Sequence, residues 1–244
     1  MTVSVDIVVP VLNEEVALPR CIQKLYAFVE QYPERDWRVI VADNGSTDAT
    51  TEIAAELAVE HSTLSVSRLN QRGRGRALKK AWSESDADVR LYMDVDLSTD
   101  LSALPCLVAA VADEGYQIAV GSRLADGSKV VARTLKREIT SRGYNILIHI
   151  FFPFSGFNDA QCGFKAISRT TAENLIPLIA DNAWFFDTEL LLLASKAGYR
   201  IKEIPVYWED DPDTSVRIVS TVWEDLKGLL RLRFKGRRTP SSAA

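Results

Sequence analysis

Cysteine is scarce in this 244-residue sequence: Cys21, Cys106 and Cys162 are odd in number, far apart and form no C-x-x-C pair. With only His61 and His149 as imidazole donors, a zinc centre and a disulfide framework are both excluded as organising features. No uninterrupted apolar stretch approaches the roughly 20 residues that span a bilayer. Neither the G-x-G-x-x-G turn nor a Walker A loop occurs, so no dinucleotide or NTPase fingerprint is present. Glycine (12) and proline (9) form no cluster that would serve as a linker, and a net charge of −4 offers no global field for nucleic acid. The strand-like residues 3–9 lack the basic and apolar lead of a signal peptide, which points to the reducing cytosol.

What is present is an ordinary globular composition, 47% hydrophobic and 25% charged. Strand patterns at 3–12, 37–43, 64–69, 91–96 and 117–122 alternate with helix patterns at 15–31, 47–60, 76–85 and 100–114. Such alternation predicts right-handed βαβ units and a mainly parallel α/β sheet flanked by helices. We expect one domain over residues 1–210, followed by an amphipathic helix and basic tail over 211–244.

The chemistry is expected where strands end. Residues 91–96 read Leu-Tyr-Met-Asp-Val-Asp, and within a strand the i, i+2 spacing would put Asp94 and Asp96 on one face at its carboxyl end. Open α/β sheets bind ligands there, and paired carboxylates suit a hard divalent cation such as Mg²⁺ or Mn²⁺. Pro10 marks the exit of the first strand, ahead of a loop with Asn13 and Glu14, which would otherwise serve as a helix cap. Asp43 closes the second strand, free to accept hydrogen bonds from a base or ribose. The glycine-punctuated basic loop 70–80, with Arg76 at its helix start, makes a diphosphate neighbour or else a solvated face. Arg123 brings a guanidinium to the same sheet edge, and one nucleotide-sugar site would account for all of these strand ends together.

Six motifs carry a resemblance: residues 10–14 (PVLNE), 43–48 (DNGSTD), 73–78 (GRGRAL), 94–96 (DVD), 121–123 (GSR) and 159–165 (DAQCGFK). In this order the sequence resembles glycosyltransferase family 2, and within it the polyprenyl- or dolichyl-phosphate sugar synthases. The resemblance implies a GT-A fold, a nucleoside diphosphate sugar donor, Mg²⁺ or Mn²⁺, and inversion at the anomeric carbon. It implies that Pro10, Asn13 and Glu14 line the nucleotide pocket and that Asp43 contacts the base. Asp94 would sit by the ribose or metal, Asp96 would ligate the metal, and Arg123 would contact a phosphate. Asp159, Gln161 and Lys165 would border the sugar and the acceptor phosphate. The pattern departs from the family at Leu97-Ser98-Thr99-Asp100, which supplies no clear third metal ligand, and the large C-terminal transmembrane region of some relatives has no counterpart.

Beyond Arg123, residues 133–154 begin basic (Arg133, Lys136, Arg137, Arg142) and end apolar, suiting either a core helix or one lying in a membrane interface. A second such segment carries Val219, Val222, Trp223, Leu226, Leu229 and Leu230 at helical spacing, with Lys227, Arg231, Arg233, Lys235, Arg237 and Arg238 around its end. The expected activity is inverting transfer of a sugar to a polyprenyl monophosphate by a protein docked peripherally on the inner membrane face. A phosphate acceptor is already anionic and needs no strong base. A hydroxyl acceptor would require one, with Asp159, Asp187 or Glu189 as candidates. The rivals are therefore a glycan-extending family 2 enzyme and an inactive nucleotide-binding scaffold at the membrane.

Overall fold

The computed structural model describes residues 2–132, 135–209 and 218–234. The chain runs β1 (Val3–Val11), α1 (Ala17–Val29), β2 (Arg35–Asp43), α2 (Thr50–Glu60), β3 (Leu64–Arg68), α3 (Arg74–Glu84), β4 (Val89–Met93), α4 (Leu104–Ala112) and β5 (Ile118–Ser122). It continues through β6 (Lys129–Val131), α5 (Leu135–Phe151), β7 (Phe164–Ser168), α6 (Arg169–Leu175), α7 (Phe186–Lys196), β8 (Ile201–Pro205), β9 (Tyr207–Glu209) and α8 (Ile218–Phe234).

Seven strands form one sheet in the order β3-β2-β1-β4-β7-β5-β8, parallel except for β7, which runs antiparallel to both β4 and β5. Both faces are covered, so the strands read as nearly continuous apolar runs. Val5, Ile7 and Val9 pack with α1, α2 and α4, while Val8 and Tyr92 face α3, α6 and α7. In-register pairing sets Val11 beside Asp43 and Asp43 beside Arg68, so the first two turns open at one edge. A small parallel sheet, β6 with β9, clamps the loop after β4. Thr99 bridges Trp208, and the Asp100 and Glu209 N–H groups donate to the carbonyls of Tyr207 and Ser98.

Two expectations of local structure change. The fourth strand ends at Met93, so Asp94 and Asp96 lie in the turn beyond it and share no strand face. The ladder to β1 stops at Tyr92 and that to β7 at Met93. Leu97 then reverses the chain at φ 58°, a left-handed conformation costly for a branched side chain. The predicted apolar stripe of the last helix also divides. Leu229 and Asp225 are buried against the domain, whereas Trp223 (59%), Leu230 (38%) and Phe234 (76%) are exposed. The side chains of Val219 and Val222, and residues Lys235, Arg237 and Arg238, lie outside the described set, as do Arg133 and the side chains of Lys136 and Arg137.

Candidate active site

The turns after β1 and β2 hold one another. Asn13, at φ 57°, accepts the Thr47 N–H on its side-chain oxygen at 2.8 Å and donates its own N–H to Ser46 Oγ at 3.0 Å; the Glu14 N–H donates to Thr50 Oγ1 at 2.7 Å. Asparagine tolerates this backbone conformation because its short polar side chain bonds locally. Asp43 departs from expectation. It is fully buried, with one oxygen accepting the Ser46 N–H at 2.9 Å and the other the Thr51 hydroxyl at 2.6 Å, so it organises the turn and is not open to a base or ribose. Burial pushes its carboxyl up, but those two bonds and Arg68 prevail and hold it below the usual range. Pro10 pairs with Ala42 one residue before the strand ends.

A cavity of about 760 Å³, well within the range of ligand sites, opens between the start of α1, the turn after β4 and β9. Asn13, Glu14 and Asp96 line it, with Arg20 and Lys24 of α1 and Tyr207 and Glu209 at its rim. Asp96 is exposed, and its Oδ1 accepts the Ser98 N–H at 2.9 Å. Asp100 caps the short helix at 101–103 through the Ser102 N–H, which explains its place in the departing Leu-Ser-Thr-Asp segment.

Asp94 sits behind Asp96, its N–H bonded to the Gly163 carbonyl at 3.2 Å. Any Cβ at Gly163 would overlap the Asp94 carboxylate, so that glycine is a requirement of the site. Arg74 joins Asp94 through Nη2 and Asp187 through Nη1, the latter at 3.0 Å. Asp187 also accepts from the Tyr92 hydroxyl and from Lys165 Nζ, at 2.9 Å for the lysine. Lys165 is fully buried, and its ammonium also donates to the Cys162 carbonyl at 2.6 Å and contacts the Tyr92 hydroxyl at 3.0 Å. Lys165 therefore reaches no cleft surface, contrary to its expected place beside an acceptor phosphate. Burial raises the Asp94 carboxyl, Arg74 opposes this, and Asp96 and Asp187 push the same way as burial. The Cys21 thiol is pushed up to about 12, first by burial and then by the charges of Asp96, Asp94 and Glu14, with Lys24 opposing.

A second ion pair lies at the end of β5. Arg123 donates from Nε and Nη2 to the two oxygens of Asp159, each at 2.8 Å, and its backbone N–H adds a third bond at 3.0 Å. The guanidinium stacks on Trp208, 4.8 Å from the ring centroid. Burial works against the Asp159 charge, yet Arg123 holds its carboxyl at about 2. The Arg123 guanidinium thus points at Asp159, where the resemblance implied a phosphate contact. Gln161 is exposed but does not line the cavity, and Arg76 turns back to the Arg72 carbonyl at 2.8 Å, outside the ion-pair network.

Sequence reasoning missed Arg74, Tyr92 and the ion-paired role of Asp187. The glycines on either side of Arg74 were the available signal. A Cβ at Gly75 would stand 2.7 Å from Phe186 Cβ, and one at Gly73 would overlap the Asn182 carbonyl, so the chain around 182–186 presses directly on the start of α3.

A divalent cation fits this donor set. Asp96, with Asp94 behind it, offers hard carboxylate oxygens of the kind Mg²⁺ and Mn²⁺ prefer. Among the described residues no three His, Cys, Asp or Glu side chains converge to hold a metal by themselves, so substrate oxygens and water would complete the sphere.

The chain is 39% identical over 222 residues to glycosyltransferase AglD of Haloferax volcanii, covering 90% of this chain but only 35% of that protein. It is 32% identical over 224 residues to a dolichyl-phosphate beta-glucosyltransferase of Drosophila melanogaster, 86% of this chain and 68% of that one. Glucosyl-3-phosphoglycerate synthase from Mycobacterium tuberculosis, crystallised with Mn²⁺, UDP and glucosyl-3-phosphoglycerate, superposes with a TM-score of 0.69 at 19% identity, over 97% of this chain and 81% of that chain. That likeness establishes the GT-A fold. The sequence model of glycosyl transferase family 2 matches residues 6–176, from the first strand through the Arg123–Asp159 pair to α6, and the chain belongs to that family.

Proposed function

We propose that the chain transfers a sugar from a nucleoside diphosphate donor to a polyprenyl monophosphate of the dolichyl type, with inversion, giving a lipid-phosphate-linked monosaccharide. The observation that carries this reading is the state of the three carboxylates a hydroxyl acceptor would need as base. Asp159 is clamped by Arg123, Asp187 by Arg74 and Lys165, and Glu189 by Arg231. A carboxylate whose oxygens are already engaged by a guanidinium or an ammonium is poorly placed to take a proton from an acceptor hydroxyl, whereas a phosphate monoester arrives already anionic. The names of the curated relatives support the same acceptor and make glucose the first sugar to test.

In this reading Asn13 and Glu14 shape the nucleotide side of the cavity, and Asp96 with Asp94 holds the divalent ion. The ion, when bound, neutralises charge on the departing diphosphate. Arg74 keeps Asp94 in place, Lys165 and Tyr92 fix Asp187, and Arg123 holds Asp159 and the 159–163 loop that carries Gln161 toward the acceptor.

The membrane is the remaining partner in the proposal. No described helix is long and apolar enough to cross a bilayer. On α5 and just beyond it, Ile139 (70%), Ile146 (60%), Ile150 (70%) and Phe154 (92%) are exposed along one side, joined by Trp223, Leu230 and Phe234 of the neighbouring α8. Arg142, Lys227 and Arg233 stand among them, an arrangement suited to peripheral docking on an anionic cytoplasmic leaflet. The test is transfer of radiolabelled glucose from UDP-glucose to dolichyl phosphate with Mn²⁺, alongside GDP-mannose and a hydroxyl acceptor. We expect label in lipid phosphate, and loss of it by orders of magnitude in Asp96→Ala with folding intact. Label appearing only on the hydroxyl acceptor, or full activity in Asp96→Ala, overturns the reading.

A further inference from the structure

Helix α8 has a buried face as well as an exposed one, and the buried face bears on the cleft. Gly228 packs flush on Phe185, where a Cβ would stand 2.5 Å from the ring. One turn later the Arg231 guanidinium lies over the same ring, 5.8 Å from its centroid, and its Nη2 donates to Glu189 Oε2 at 2.6 Å. Glu189 is 2% exposed, and that same oxygen accepts the Asp181 N–H at 2.8 Å. From Asp181 to Phe185 the chain makes the turn that seats α3. Asp181 accepts the Ala183 N–H at 2.7 Å, and the carbonyls of Ala183 and Asn182 accept the N–H groups of Gly75 and Arg76 at 3.2 and 3.1 Å. The Trp184 ring lies against the Arg74 guanidinium, 5.2 Å from its centroid. An unbroken set of contacts therefore runs from Arg231 to the Arg74–Asp94 ion pair.

We propose that Arg231 is a positioning residue: through Glu189 it sets the 181–185 turn, and that turn fixes Arg74 against Asp94. The proposal rests on the reading of the Asp94–Asp96 cleft as the transfer site. Its physical basis is the burial of Glu189. Without Arg231 the buried carboxylate keeps, among the described residues, only the Asp181 N–H as a hydrogen-bond donor, and such a charge is relieved by protonation or by turning toward water. Either response loosens the Asp181 bond that anchors the turn. The same helix carries Trp223 and Phe234 outward, so contact at its exposed face and the geometry of the cleft share one rigid element.

The full chain, labelled with 5-fluorotryptophan, provides the test, because Trp184 touches Arg74 and its fluorine signal is assigned by its loss in Trp184→Phe. In Arg231→Ala we expect the Trp184 signal to shift or broaden, while kcat for lipid-phosphate glycosylation falls roughly ten- to a hundredfold, the scale of a small misplacement. KM for the donor should change less than kcat. Arg231→Lys, which retains a cation for Glu189, should recover part of both readings. Glu189→Gln keeps the shape of the side chain and should reproduce the Arg231→Ala shift, which serves if the alanine variant does not fold. A Trp184 signal unmoved in Glu189→Gln and in a folded Arg231→Ala overturns the proposal. Because fluorine reports the turn without turnover, a protein that transfers no sugar would refute the function and still leave this result readable.

Discussion

Replacing Arg123 with alanine removes the partner of a carboxylate that has no exposure to water. Asp159 is 0% exposed and Arg123 is 10% exposed; the guanidinium gives Asp159 two hydrogen bonds of 2.8 Å and its counter-charge, while the backbone N–H bonds from residue 123 (3.0 Å) and Gln161 (3.1 Å) survive in the alanine variant. Breaking a buried pair from one side costs about 3–5 kcal/mol, because the remaining charge is stranded. The carboxyl itself gives a second measure. Held at about 2 against an ordinary 3.8, it contributes between about 2 and 3 kcal/mol, at about 1.4 kcal/mol per pH unit. The sign is that of a depressed acid: this contribution is present above pH 4 and is lost as pH falls through 2. At neutral pH, then, Arg123→Ala should lower stability by about 3–5 kcal/mol, a fall in Tm of roughly 6–20 °C for a domain of this size. Urea unfolding of Arg123→Ala, Asp159→Asn and the double variant forms a cycle, and the double variant should be more stable than the sum of the singles predicts. A loss below about 1 kcal/mol in Arg123→Ala, or strict additivity, would refute the stranded-charge argument. It would also return Arg123 to the phosphate-binding role that the family resemblance implied.

Asp225 gives the opposite sign. Its carboxyl is raised to about 7, first by burial and then by Asp181, Glu224 and Asp187, with the Tyr144 hydroxyl opposing, and its Oδ1 has no hydrogen-bond partner among the described residues. The folded state keeps a proton that the unfolded chain releases near pH 4, so stability should fall between about pH 4 and 7 and level off above. In urea titrations at pH 5 and pH 8, Asp225→Asn should flatten this slope and be the more stable protein at pH 8; an unchanged slope would sink the assignment. On the exposed apolar side of α5, Ile146→Ser combined with Ile150→Ser should lower recovery with anionic vesicles at low salt, if the proposed docking holds, while leaving the thermal transition in place. Recovery equal to the parent chain would show that this surface does not carry the binding.

The sequence by itself determined the layout. Apolar runs of strand length alternating with helical patterns are local properties, so the mainly parallel sheet and the positions of the loops after β1, β2, β3 and β5 could be read from residues 3–123. The glycosyltransferase motifs were equally legible, since each occupies a few consecutive residues. What only the tertiary structure decided was which charges meet. Asp43 read as a free strand-end acceptor, but the following turn folds back and occupies both of its oxygens. Asp94 and Asp96 read as strand neighbours, until the end of both ladders at Met93 left them in a turn. Arg74, Lys165 and Asp187 are separated by 22 to 113 residues wherever they pair, and Arg231 meets Glu189 across 42. Burial and partnership of a charged group depend on what the rest of the chain brings against it, and no local pattern carries that information.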